Sequence, residues 1–180
     1  MLTSLLAFFE DAVTIGTAVA EPLQWGAILA FVAAALAFIP AGIGSTIGVT
    51  LGGQAVAGVA AEKPDVYPKL QVIQLLPATQ GIYGFIIAFV ICLRIGVLGG
   101  TIATLTVEQG LQYIAGALPI SIVGYYSAVF QGKVGASAIA MVGKNPDMSG
   151  KGIAMVAVVE TYAIFGLLVS FLMVWLGVAI

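Results

Sequence analysis

The stretch Met155-Val156-Ala157-Val158-Val159-Glu160-Thr161-Tyr162-Ala163-Ile164-Phe165 places one carboxylate inside an apolar run that extends from Lys151 to the chain end. About 20 such residues suffice to cross a bilayer. A charge at the centre of a transmembrane helix costs about 2.5–3.5 kcal/mol on insertion scales, and such residues mark function. The stretch therefore predicts a membrane-spanning helix and, at Glu160, a functional acid that other polar groups must surround.

Composition points the same way. Hydrophobic residues make up 61% of the 180 and charged residues 8%, whereas soluble domains carry about 25% charged residues. The 23 glycines suit transmembrane helices, which tolerate Gly better than soluble ones. A net charge of −2 excludes a basic nucleic-acid footprint. With no His and a single Cys, Cys92, an intrachain disulfide and a zinc-type site are excluded. Any metal would be a hard cation held by oxygen. No catalytic constellation is present in the sequence. Residues 1–22 lack a basic n-region and are interrupted by Glu10 and Asp11. They are expected to form an interfacial or flexible extension, not a cleaved signal peptide.

Moving outward from Glu160, four apolar segments emerge, at about 23–61, 69–95, 107–142 and 151–178. None alternates with period two, so an all-α membrane protein of four transmembrane helices is expected, not a barrel. Thr106 and Gln109 have the spacing of a capping box that opens the third helix. Loops 61–69 and 143–151 hold Lys63, Lys69, Lys144 and Lys151, four of the six basic residues. The positive-inside rule puts both loops in the cytoplasm and both termini on the extracellular side of a cell membrane. Arg94 and Glu108 flank the remaining connection as expected interfacial anchors.

The same loops expose a repeat. Lys63-Pro64-Asp65 aligns with Asn145-Pro146-Asp147 at an offset of 82, and the offset carries Lys69 onto Lys151, Gly84 onto Gly166 and Phe89 onto Phe171. The chain is expected to consist of the extension 1–22, a first hairpin over 23–100 and a second over 101–180. An even number of spans per copy makes the repeat parallel, not inverted. Ala78 stands where the second copy has Glu160, which leaves one acid per four helices. Gly44, Gly48 and Gly52 recur every four residues, as do Gly124, Ala128, Gly132 and Ala136. Such faces allow close backbone approach, either between helices of one chain or along the crowded inner wall of a ring.

Few polar residues remain in the spans. Leu76, Thr79, Gln80 and Tyr83 share one face of the second helix at i, i+3, i+4 and i+7. Gln80 lies 11 residues after Lys69, Glu160 nine after Lys151, and Gln131 13 before Lys144. At about 1.5 Å per residue, all three reach one level roughly 14–20 Å from the loops. Pro77 interrupts its helix and can free nearby carbonyls, that of Leu76 among them. One carboxylate with several neutral oxygens suits a monovalent cation, Na⁺ in preference to H⁺. Alternatives stand beside these roles: a back-bonded Thr79, interhelical Gln80–Gln131 hydrogen bonding without an ion, and Tyr83 as a packing residue. Lys133, two residues from Gln131, faces elsewhere and can snorkel.

Three motifs now resemble a known family. Leu75-Leu76-Pro77-Ala78-Thr79-Gln80-Gly81-Ile82-Tyr83-Gly84, Gln131-Gly132-Lys133-Val134 and Val159-Glu160-Thr161-Tyr162-Ala163-Ile164 are similar to the duplicated proteolipid, subunit K or c, of bacterial Na⁺-transporting V-type ATPases. The resemblance implies tandem hairpins that assemble with identical subunits into a rotor ring. The ring would turn against a static membrane subunit, with central-stalk subunits at the cytoplasmic loops, coupled to ATP hydrolysis or synthesis in a peripheral head. It implies that Glu160, Gln131, Gln80, Thr79 and the Leu76 carbonyl hold Na⁺ and that Tyr83 braces Glu160, while the chain itself is non-catalytic. The rival expectations are the same ring carrying H⁺, a small four-helix proton-coupled exporter, and a structural or fusion proteolipid.

Overall fold

The computed structural model describes residues 24–179; the expectation for residues 1–22 lies outside them. The chain forms α1 (Trp25–Glu62), α2 (Tyr67–Leu75), α3 (Thr79–Arg94), α4 (Val107–Lys144) and α5 (Ser149–Leu176), joined by short 3₁₀ turns. Through its turns, α2–α3 forms one membrane-length rod, Pro64–Arg94, and α5 belongs to another, Pro146–Leu176. The four rods are 38, 31, 38 and 31 residues long, and all are apolar enough to span a bilayer. This is the all-α, four-span membrane protein expected, with no strand among the described residues. The second and fourth rods start earlier than the expected 69 and 151. Pro64 and Pro146 open them as 3₁₀ turns at a position where the missing N–H costs nothing.

Every rod of the first half has its counterpart 82 residues later, with the same length. The sequence offset therefore survives as geometry. The Thr106 capping box is present: the Gln109 N–H donates to Thr106 Oγ1 at 3.2 Å, and the Thr106 N–H donates to Gln109 Oε1 at 2.8 Å. Both lysine-bearing loops lie at one end and are tied together. Lys63 Nζ donates to the Gly143 carbonyl at 2.8 Å, and Lys69 Nζ to that of Pro146 at 3.4 Å. At the far end the Arg94 guanidinium donates to the carbonyls of Val174, Trp175 and Val178, and stacks on the Trp175 ring at 5.5 Å. Arg94 thus caps the C-terminus of α5, where cationic donors satisfy free carbonyls.

The most extensive packing is between α1 and α4. The small-residue faces meet there, within one chain. A Cβ on Gly132 would lie 2.4 Å from the Gly48 Cα, and one on Gly48 would lie 2.4 Å from the Ala128 carbonyl oxygen and 2.6 Å from the Pro77 Cβ. Two apolar clusters flank the mid-level. One is built on Ile87, Tyr113 and Ile120, and the other, toward the loops, on Leu70, Ile73 and Val156. The polar residues lie between them. Large apolar side chains such as Phe85, Phe89, Phe165 and Leu172 remain exposed on the outside of α3 and α5, as a lipid-facing surface requires.

Gly132→Val must push two backbones apart, and overpacking of this kind costs about 1–3 kcal/mol or more. Nothing lies within 4 Å of a Cβ on Gly58, so Gly58→Ala is expected to be neutral. Thermal unfolding of the detergent-solubilised protein, followed by fluorescence size exclusion, compares the two.

Candidate ion-binding site

Pro77 shapes the second rod at the level of the site. The α-helix gives way to a 3₁₀ turn over Leu76–Ala78, because a proline cannot donate to the preceding turn. The turn is anchored just past its end, where the Gly81 N–H near the start of α3 donates to Ser45 Oγ of α1 at 2.7 Å. It is also closed on itself. The Leu76 carbonyl accepts the Thr79 N–H and, at 2.9 Å, Thr79 Oγ1. Thr79 is therefore back-bonded, and it retains the lone pairs of its hydroxyl oxygen.

Gln80 and Gln131 are fully buried. Gln131 Nε2 donates to the Val156 carbonyl of α5 at 3.1 Å. A carbonyl can only accept, so Gln131 turns its Oε1 toward Gln80. Gln80 Nε2 fills that acceptor at 2.7 Å and lies 3.4 Å from Ser127 Oγ. Ser127 Oγ in turn donates to the Val159 carbonyl at 3.0 Å. This chain of donors leaves Gln80 Oε1 buried without a donor. An unmet acceptor in an apolar interior costs about 1–3 kcal/mol. A cation would satisfy it.

Glu160 is half-buried, and Tyr83, also half-buried, donates its hydroxyl to Glu160 Oε1 at 2.5 Å. The tyrosine holds the carboxylate against α3. The structure thus joins Gln80 to Gln131 and Tyr83 to Glu160 across hairpins, with Thr79 and Leu76 paired at the proline break.

Residues 32–91 and 114–173 each match the family of the ATP synthase C-subunit. The chain belongs to that family. As a C-subunit family member it is duplicated, since the two matched spans repeat at the offset of 82 seen in the helices. It is 42% identical over 149 residues to the V-type sodium ATPase subunit K of Enterococcus hirae, covering 83% of this chain and 92% of that protein. It is 38% identical over 149 residues to the A-type ATP synthase subunit K of Methanocaldococcus jannaschii, covering 82% of this chain and 62% of that longer protein.

Sequence reasoning missed Ser127 in this site. Its signal was available: Ser127 lies four residues before Gln131 on the same face of α4, and the offset pairs it with Ser45. The Val156 and Val159 carbonyls carried no signal, because main-chain groups look alike in every residue. Lys133 is exposed, with Nζ 5.1 Å from the centre of the Phe130 ring, and takes no part in the network. Thr161 bonds its own helix through the Val158 carbonyl at 2.8 Å.

Gln131→Leu removes the main acceptor of Gln80 Nε2 and the side-chain donor to the Val156 carbonyl, with an expected loss of about 1–3 kcal/mol. Gln80→Leu combined with Gln131→Leu is expected to cost less than the sum of the singles. Thermal unfolding of the four proteins in Na⁺-free detergent measures the coupling.

Proposed function

We propose that this chain is one subunit of the membrane rotor ring of a V-type ATPase or ATP synthase and that its cargo is Na⁺. The two hairpins, over 23–100 and 101–180, form the repeating wall. Glu160 supplies the charge, and Gln80, Gln131 and Thr79 supply side-chain oxygens. The Leu76 carbonyl is the weakest contributor, since it already accepts two donors. Tyr83 braces Glu160. The observation that carries the sodium reading is the buried Gln80 Oε1 left without a donor. Proton carriage needs the carboxylate alone and gives that oxygen no partner. The E. hirae relative is named as a sodium ATPase subunit, which supports the same choice.

The mechanism follows from solvation. With its ion, Glu160 is neutral and can face lipid; the bare anion cannot, because burying an unpaired charge is prohibitive. An emptied site therefore passes only where a static partner offers water and a compensating cation. Each ion crossing is worth about 2.3 kcal/mol per 100 mV. ATP chemistry belongs to a peripheral head, and the loops 61–69 and 143–151 face the central stalk on the cytoplasmic side, with both termini extracellular.

Carbodiimide labelling of Glu160 in the assembled complex tests the cargo. It attacks the protonated acid, so Na⁺ at neutral pH is expected to slow labelling at least tenfold, and the protection is expected to weaken as pH falls and protons compete. Absence of protection at neutral pH rules out sodium. Separately, Glu160→Gln is expected to abolish ion transport in reconstituted vesicles while the ring still assembles. That result also separates a transporting ring from a structural proteolipid.

A further inference from the structure

An open apolar groove of about 320 Å³ runs between α4 and α5, lined by Ile122, Tyr126, Phe130, Val159 and Tyr162, with Ser127 at its floor. Subtracting the offset of 82 turns these into Pro40, Gly44, Gly48, Pro77, Gln80 and Ser45. That second set is the surface of the first hairpin on which α4 is seated. A Cβ on Gly44 would meet the Tyr125 carbonyl oxygen at 2.6 Å, one on Gly48 would meet that of Ala128 at 2.4 Å, and Gln80 bonds Gln131. The groove is thus the repeat-related copy of an interface already filled inside the chain.

The repeat also names the occupant. The α4 residues in that interface, Tyr125, Ala128, Gln131 and Gly132, correspond to Ile43, Thr46, Val49 and Thr50 of α1. These lie on a face of α1 left open: Ile43 is 51% exposed, and Thr46 and Thr50 are exposed as well. The two threonine hydroxyls are spent on their own helix, on the Gly42 carbonyl at 3.0 Å and the Thr46 carbonyl at 2.7 Å. They therefore present methyl groups, and the face suits an apolar groove. Inside one chain α1 cannot reach it, because α1 packs on the other side of α4.

We propose that the seam between copies, formed by α1 of the next subunit seated in this groove, is a disabled twin of the ion site. The inference rests on the ring reading above. At the seam both amides are exchanged, not the acid alone. Tyr162 replaces Gln80, Phe165 replaces Tyr83, and the next copy brings Val49 in place of Gln131 and Ala78 in place of Glu160. Thr161 keeps the type of Thr79, with its hydroxyl bonded to Val158 as that of Thr79 is to Leu76, and Ser45 of the next copy keeps the type of Ser127. The carboxylate and both amide oxygens are removed, and aromatic rings fill the space. Tyr126 and Phe130 also stand where Gly44 and Gly48 stand inside the chain, so the incoming helix sits further from α4 than α1 does. Tyr162 and Phe165 are thus specificity-determining residues that keep the seam dry and ion-free, with one ion per four helices.

Two measurements on the assembled complex test this. In a Cys92→Ser background, Thr50→Cys with Phe130→Cys is oxidised in membranes and run on denaturing gels. The expected product is a ladder of chain multiples, absent when Thr50→Cys is paired with Phe89→Cys. If glutaraldehyde yields multiples of the unmodified chain while the 50/130 pair stays monomeric, the ring stands and the seam is overturned. If glutaraldehyde yields none, the ring reading itself fails. Next, carbodiimide adducts at position 78 are read by peptide mass. Ala78→Glu alone is expected to label without Na⁺ protection. Ala78→Glu with Val49→Gln and Tyr162→Gln is expected to gain it, by at least tenfold. Protection in the single variant, or none in the triple, overturns the disabled-twin assignment.

Discussion

The hydrogen bond from Gln80 Nε2 to Gln131 Oε1, 2.7 Å long and fully buried, joins the two hairpins where no water can substitute for it. Its direction is imposed from α5, because the Val156 carbonyl claims the amide nitrogen of Gln131. Each donor then commits the next, until one acceptor oxygen is left over. In an apolar surround an amide pair of this kind has a single satisfactory orientation. The unmet oxygen is therefore a consequence of hydrogen-bond accounting across three helices.

That bond forms only because the helices come close. Gly48 and Gly132 let α1 and α4 touch at the backbone, and the buried Pro77 packs against Gly48. The proline break and the glycine contact act together. The break turns the second rod into a 3₁₀ segment, Ser45 fastens it to α1, and the glycines bring α4 within reach of Gln80. Side chains larger than hydrogen at these points would separate Gln80 from Gln131 before altering either residue. Tyr83 contributes from the other direction, holding Glu160 of α5 against α3.

Duplication gives the molecule two related junctions and uses them differently. Inside the chain the junction is tight and polar; the repeat-related groove on the second hairpin is wide and apolar. The two junctions differ at positions that would touch an ion or set helix spacing: Tyr162 against Gln80, Val49 against Gln131, and Tyr126 and Phe130 against Gly44 and Gly48. Lipid imposes this economy, since each polar group left without a partner is costly there.

The sequence by itself determined the four spans, the repeat at 82, the single acid and the common level of Thr79, Gln80, Gln131 and Glu160. Hydropathy over a bilayer's thickness and a fixed rise per residue set position along an axis. Those quantities do not set how helices are rotated or how near they lie. Only the tertiary structure decided that Gln80 pairs with Gln131, that Thr79 bonds back to Leu76, and that Tyr83 takes Glu160. It also brought in Ser127 and the carbonyls of Val156 and Val159. The physical reason is that azimuth and separation come from side-chain sterics at contacts such as Gly48–Gly132, between residues more than eighty positions apart, and main-chain acceptors become specific only when a neighbouring helix is placed against them.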